Sequence, residues 1–216
     1  MQAIILAAGT GSRLKTLTEN LPKALIEVGG QPLLAYALEF AKRVGCRERI
    51  VVVGAYGDKV IDLLEQLALP DVKWVRNEDY LLGNLYSLGA ARAAITDSFL
   101  LMNTDHVYDK RIAQRVSEQC TSLLGFCDQD RKLGHDDMKV ALNDAGHIKA
   151  ISKQLTEFDR GYVGMTHCPK EGLRDYWEAF DQVAAEHGEK AVVEMVLGHL
   201  AKSANPPKVG DISGFG

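Results

Sequence analysis

Short apolar runs that alternate with helix-length periodic segments constrain this chain more than any other feature. Residues 3–6 are apolar and end in Ala7-Ala8-Gly9, 49–53 is a β-branched run closed by Gly54, and 72–75 is shorter. Residues 99–102 form a fourth run that leads into polar Asn103-Thr104-Asp105. Between these runs lie predicted helices. In 33–44, Leu34, Ala37, Leu38 and Ala41 recur at helical spacing after Pro32, a residue suited to a first turn. In 59–69, Val60, Leu63, Leu64 and Leu67 share one face, and 86–95 is alanine-rich. Continuous apolar strands separated by helices predict a parallel sheet covered on both faces. Right-handed crossovers then line up the strand C-termini along one edge, where open α/β sheets bind ligands. The expected class is therefore α/β, a Rossmann-like mixed and mainly parallel sheet with helices on both faces.

The second half changes character. Residues 121–127 and 138–142 read as strands, and Asn143-Asp144-Ala145-Gly146 has turn chemistry between Val140 and Ile148, which predicts a hairpin. A short strand at 162–166 contains a glycine, and 173–187 and 190–202 are predicted helices. There is no internal repeat and no low-complexity linker. The 216 residues are expected to form one domain, 1–216, able to bury its core without disulfide or metal staples.

Charge and composition exclude some partners. Lys and Arg number 25 against 29 Asp and Glu, a net charge of −4 that argues against wholesale nucleic-acid binding but leaves room for local phosphate sites. No apolar run reaches the roughly 18 residues of a membrane helix. Residues 1–8 lack a basic stretch before them and run into a glycine turn, so they read as a buried strand and not as a signal peptide. The four cysteines form no Cys-x-x-Cys pair, and only Cys168 has a neighbouring histidine, His167. Reduced, packed thiols in a cytoplasmic protein are expected. Trp74 and Trp177 either pack inside or sit at a subunit contact such as a homodimer interface.

The most informative segment is Leu6-Ala7-Ala8-Gly9-Thr10-Gly11-Ser12-Arg13-Leu14, followed by Leu21-Pro22-Lys23-Ala24-Leu25. Glycines let a backbone approach a ligand closely, and freed N–H groups make a concavity suited to phosphate oxygens. Arg13 adds a planar fork of donors and Lys23 a mobile point charge. The plain alternative is a turn that merely joins a strand to a helix. The segment is not a dinucleotide fingerprint, because position 14 is leucine, and it lacks the Gly-Lys-Ser/Thr of a Walker loop. After 99–102, Asp105 stands where a hard cation such as Mg2+ would find a carboxylate oxygen. Its alternative is to cap the following helix.

Leu-Ala-Ala-Gly-x-Gly-x-Arg-Leu, then Leu17-Thr18, then Pro-Lys-x-Leu resembles the signature of the nucleotidylyltransferases that activate sugar phosphates and phospho-alcohols, the MobA-like NTP transferases. The sequence departs from it at Thr16, where that family usually has proline. The resemblance implies a nucleotidyltransferase (GT-A-like) fold. It also implies that Leu6, Ala7, Ala8, Gly9, Gly11 and Ser12 hold the base, ribose and phosphates of a nucleoside triphosphate. Arg13 would hold the triphosphate, and Lys23 would neutralise charge at the α-phosphate, as the two catalytic residues. Asp105 would bind Mg2+, with His106 either supporting it from behind or on the substrate side. Family members usually supply a second carboxylate from an Asp-x-Asp-Thr segment near the C-terminus. Asp211 lies upstream of that place, so the second metal ligand is expected beyond Gly216.

Asn77-Glu78-Asp79-Tyr80 and Gly83-Asn84-Leu85-Tyr86-Ser87-Leu88 are similar to a segment of cytidylyltransferases acting on phosphocholine-like and inositol-phosphate substrates, with Gly83 replacing an asparagine. The resemblance implies that Asn84 and Ser87 face the nucleotide, since such side chains both donate and accept. Helix capping is the alternative for Asn84. The stretch 139–159 is similar to the corresponding part of inositol-1-phosphate cytidylyltransferases, which implies that Lys153 points at an acceptor phosphate unless it is a solvated surface lysine. Residues 160–165 lean instead towards the phosphocholine or aminoethylphosphonate type, which implies that Tyr162 contacts the acceptor substrate. Glu194 either touches a hydroxyl or cationic head of the acceptor or lies on a solvated helix face. The implied partners are CTP, or UTP or dTTP as the alternative, and a phosphorylated small molecule. A non-catalytic nucleotide-binding module is the remaining reading.

Overall fold

The computed structural model describes residues 1–9 and 21–215. Strand β1 (Gln2–Ala7) is central and buried throughout. Parallel to it run β4 (Glu48–Val53) on one side and β6 (Phe99–Asn103) on the other, and β5 (Val72–Arg76) lies outside β4. A small antiparallel ribbon, β2 (Glu27–Val28) and β3 (Gln31–Pro32), stands apart. The second half extends the sheet beyond β6. There β10 (Arg160–Cys168) runs antiparallel to both β6 and β7 (Leu124–Asp128), and β11 (Lys208–Asp211) closes the edge parallel to β7. The predicted hairpin is β8 (Lys139–Leu142) with β9 (Ile148–Ser152), attached to β10 through β8. The main path is therefore β11-β7-β10-β6-β1-β4-β5.

Side chains on a strand alternate between faces. Ala3, Ile5, Ala7, Val51 and Val53 join one core with Leu34 and Leu38 of α1 (Leu33–Val44), Val60 and Leu64 of α2 (Gly57–Leu67), and Ile112 and Val116 of α4 (Lys110–Gln119). Ile4, Leu6, Ile50 and Val52 join the opposite core with Leu85 and Leu88 of α3 (Asn84–Ala91), Tyr176 and Phe180 of α5 (Leu173–His187), and Val196 and Leu200 of α6 (Glu194–Leu200). A strand buried on both faces has no room for alternating polarity, which is why β1 reads as a continuous apolar run. Each fully buried isoleucine here stabilises the fold by about 1.5–3 kcal/mol relative to exposure.

Helix α1 starts after Pro32 and ends at Gly45, whose φ of +96° lets its N–H reach the carbonyls of Ala41 and Lys42. Helix α4 and strand β11 were not among the predicted elements. The predicted 190–202 helix is shorter, because a 3-10 turn at Gly188–Lys190 precedes α6. Trp177 is packed in the second core, whereas Trp74 lies 46% exposed on edge strand β5. All four thiols are free, and burial pushes each of them up to about 12. Among the described residues no helix is long and apolar enough to cross a membrane.

Candidate active site

Parallel pairing brings the C-terminal ends of β1 and β6 side by side, with Leu6 opposite Asn103. The next residues therefore emerge at one point of the sheet edge. The Thr104 hydroxyl donates to the Leu6 carbonyl at 3.3 Å and pins the two ends together. Leu6, Ala7 and Ala8 are buried, and Gly9 is exposed at the rim. Gly11, Ser12 and Arg13 lie outside the described residues.

Lys23 opens a 3-10 turn, Lys23–Leu25, which is anchored by the buried methyl of Ala24. Its ammonium donates to Asp105 Oδ2 at 2.9 Å, joining residues 82 positions apart. The other oxygen of Asp105, Oδ1, bonds His106 Nδ1 at 2.7 Å. Burial of Asp105 opposes ionisation, but the bond and charge of His106, followed by those of Lys23, outweigh it and hold the carboxyl well below the usual range. Asp105 does not cap the following helix. That role belongs to Asp109, whose carboxylate accepts from the Arg111 N–H at 2.8 Å.

Two further residues, to which the sequence assigned no role, set this corner. Tyr108 stacks on the His106 ring at 5.7 Å with 8° between planes, and its hydroxyl donates to the Val163 carbonyl. Gly164 sits at φ +75° where β10 shifts register, and a Cβ there would lie 3.0 Å from Asn103 Nδ2 and 3.3 Å from His106 Cε1. The glycine seen inside the predicted 162–166 strand is the trace of this close approach. Beside His106 opens a cavity of about 380 Å³, lined in part by Tyr108, Asp128, Arg131 and Phe215.

Packing gives several of the expected contact residues internal partners. Ser87 is buried and its hydroxyl accepts from Asn77 Nδ2 at 3.1 Å, so it is not an open reader of a base. Asn84 Oδ1 accepts from the Val193 N–H at 3.1 Å, which ties α3 to the start of α6. Tyr162, on β10, is only 4% exposed and its hydroxyl pairs with Thr166 at 2.8 Å, so its ring packs in the core. Glu194 is not on a solvated face. Burial raises its carboxyl above the ordinary range, while Lys153 and Asn84 draw it back and Asp105 adds to the rise. Lys153 is thus within electrostatic reach of Glu194, and its carbonyl accepts from Lys139 Nζ at 2.8 Å.

Asp211, at the end of β11, is held by Arg160 at 3.2 Å and by the Ser213 hydroxyl at 2.6 Å. Among the described residues no three His, Cys, Asp or Glu side chains gather as a ready-made metal nest. To a cation at this edge the described residues offer the Asp105 carboxylate, which oxygens of a bound substrate would supplement. That donor set suits Mg2+, which keeps waters and takes one or two carboxylates plus phosphates.

The description "MobA-like NTP transferase domain" matches residues 3–194. The chain belongs to that family. It is 29% identical to the bifunctional IPC transferase and DIPP synthase of Aquifex aeolicus over 220 residues, covering 99% of this chain and 47% of the relative. It is 37% identical to the choline-phosphate cytidylyltransferase of Streptococcus pneumoniae over 109 residues, which cover 50% of this chain and 46% of the relative. The chain as a whole spans about half the length of the first of these. The inositol-1-phosphate CTP transferase structure from T. maritima has the same fold, with a TM-score of 0.81 at 21% identity over 98% of this chain and 85% of that one. The expected mixed, mainly parallel nucleotidyltransferase sheet is the one found.

Proposed function

We propose that this family member transfers a cytidylyl group from CTP to a small phosphorylated alcohol, polyol or sugar phosphate and releases pyrophosphate. The observation that carries the reading is the meeting of Lys23 and Asp105 at the carboxyl edge of the sheet, 2.9 Å apart and beside the end of β1. A phosphate oxygen of the acceptor attacks the α-phosphorus of the nucleotide. The bond from that phosphorus to the oxygen bridging to the β-phosphate breaks, and pyrophosphate leaves with the electron pair. No covalent enzyme intermediate is needed, so the protein supplies positioning and charge.

Lys23 neutralises charge at the α-phosphate and Arg13 holds the triphosphate tail. Gly9 and Gly11 allow the backbone to approach the nucleotide. Asp105 holds Mg2+, with His106 fixing the carboxylate; when bound, the cation neutralises phosphate charge and orients the phosphates. Lys153 takes the acceptor phosphate, and Glu194, with Asn84 behind it, takes a hydroxyl or cationic head. The cavity beside His106 is in the size range of small-ligand sites. A protein working on such metabolites fits the reduced thiols of the cytoplasm.

The test is pyrophosphate release with each nucleoside triphosphate in turn, against phosphocholine, inositol 1-phosphate and glucose 1-phosphate. CTP-dependent release supports the proposal. Release only with UTP or dTTP makes the protein a uridylyl- or thymidylyltransferase. Nucleotide binding without release for any pair leaves a binding module.

A further inference from the structure

The two oxygens of Asp105 have partners of very different character. His106, on Oδ1, is the neighbouring residue, is stacked on Tyr108, and has Gly164 close behind its ring. Tyr108 is in turn fastened to the Val163 carbonyl. This ring has little freedom to leave. Lys23, on Oδ2, makes one bond from a side chain 36% exposed, to a carboxylate equally exposed. An ammonium on a four-carbon stem is a mobile point charge, and an ion pair so open to solvent is weak.

An oxygen that holds a hard cation cannot also keep an ammonium in the same place, because the two positive charges repel. Nor is Asp105 well left unpaired, since the Glu194 carboxyl lies within its electrostatic reach. We propose that Asp105 is a two-position ligand. His106 keeps Oδ1 fixed, while Oδ2 is held by Lys23 in the nucleotide-free protein and passes to a divalent cation on loading. Lys23 is thus a placeholder for the cation, and its displacement frees the ammonium for the triphosphate. This rests on reading Asp105 as the cation's ligand and adds the exchange that couples cation arrival to the release of Lys23.

The test is Mn2+ binding to the nucleotide-free full chain, followed by the electron paramagnetic resonance signal of free Mn2+. Asp105→Asn should weaken binding at least tenfold, as loss of a charged ligand requires. Lys23→Met should tighten it roughly three- to fivefold, the worth of a solvent-open pair. Lys153→Met removes a charge from the same neighbourhood without touching Asp105, and should change affinity by less than about twofold. If Lys23→Met binds Mn2+ no more tightly than the native chain while Asp105→Asn loses it, the exchange is overturned and the cation reading stands. Equal tightening by both lysine variants overturns it as well, in favour of a general charge effect. Undiminished binding by Asp105→Asn removes the cation reading and the exchange together.

Discussion

Two ion pairs of similar chemistry sit in very different places in this molecule. Arg49, on β4, has a side chain only 2% exposed, and its guanidinium reaches both oxygens of Asp71 and the Leu38 carbonyl. It bolts α1 and β4 to the entry of β5, and three bonds in a rigid fork leave it nowhere to go. Lys23 and Asp105 bridge 82 residues with one bond, about a third open to water on each side. The comparison teaches that bond count and burial, not the presence of opposite charges, separate a structural clamp from a pair that can be exchanged during a reaction.

The largest expected effect falls on the exposed pair and on turnover alone. Lys23→Ala and Asp105→Ala should each lower kcat by roughly 10²–10³, the loss expected for one preorganised charge partner. Their melting temperatures should stay within about 2 °C, as befits a solvent-open pair. Full activity in either variant would break the contrast. Asp71→Ala should do the reverse. It leaves a buried guanidinium short of its anion and should lower stability in urea by about 2–3 kcal/mol, below the fully buried case because Asp71 is itself a third exposed. Activity per folded molecule should not change.

That second effect has a pH signature. The hydrogen bond from Arg49 holds the Asp71 carboxyl below its ordinary value. The folded value is the lower one, so the pair's contribution is full above the unfolded aspartate value and lost as pH falls through the folded one. The native-minus-Asp71→Ala difference in urea stability should therefore shrink in acid. A constant difference down to pH 2 would contradict the assignment.

Gly164→Ala comes next, at about 1–2 kcal/mol for forcing a left-handed conformation on an L-residue. Because the new Cβ would press on Asn103 and His106, it should also weaken Mn2+ binding, which a purely structural glycine would not do. The smallest effect is expected at the exposed pair of Arg43 and Glu39, one turn apart on α1. Glu39→Gln should cost less than about 0.5 kcal/mol in thermal unfolding, which marks the solvent-exposed end of the same scale.

Much of the fold was legible because buried parallel strands leave an unbroken apolar run. The 33–44 and 173–187 helices were read to the residue, and the 143–146 turn does join β8 to β9. Helix α4 was missed because its apolar face is narrow, yet Asp109 as cap followed by Ile112, Ala113 and Val116 would have marked it. Strand β11 was missed because Lys208-Val209-Gly210-Asp211 carries no strand pattern and is placed by pairing with β7. At the site, Asp105 was legible because an apolar strand ends just before it. Its partners Lys23 and His106 could be named as residues, but their bonds to it depend on tertiary structure. Ser87 and Tyr162 turn inward for one reason: polarity in a sequence does not say which groups the fold buries and satisfies internally. Buried polar residues are almost always hydrogen-bonded, and here Asn77 and Thr166 supply those partners.

The central claim is a nucleotidyl transfer organised at Lys23 and Asp105. Its most direct test follows radioactive phosphorus from CTP into product, using CTP labelled at the α-phosphorus and, separately, at the γ-phosphorus. With a suitable phosphorylated alcohol, label from the α-position should appear in the product in step with pyrophosphate. Label from the γ-position should appear only in pyrophosphate, and both transfers should fall roughly 10²–10³-fold in Asp105→Ala. Product carrying the γ-label, or transfer undiminished in Asp105→Ala, would contradict the account.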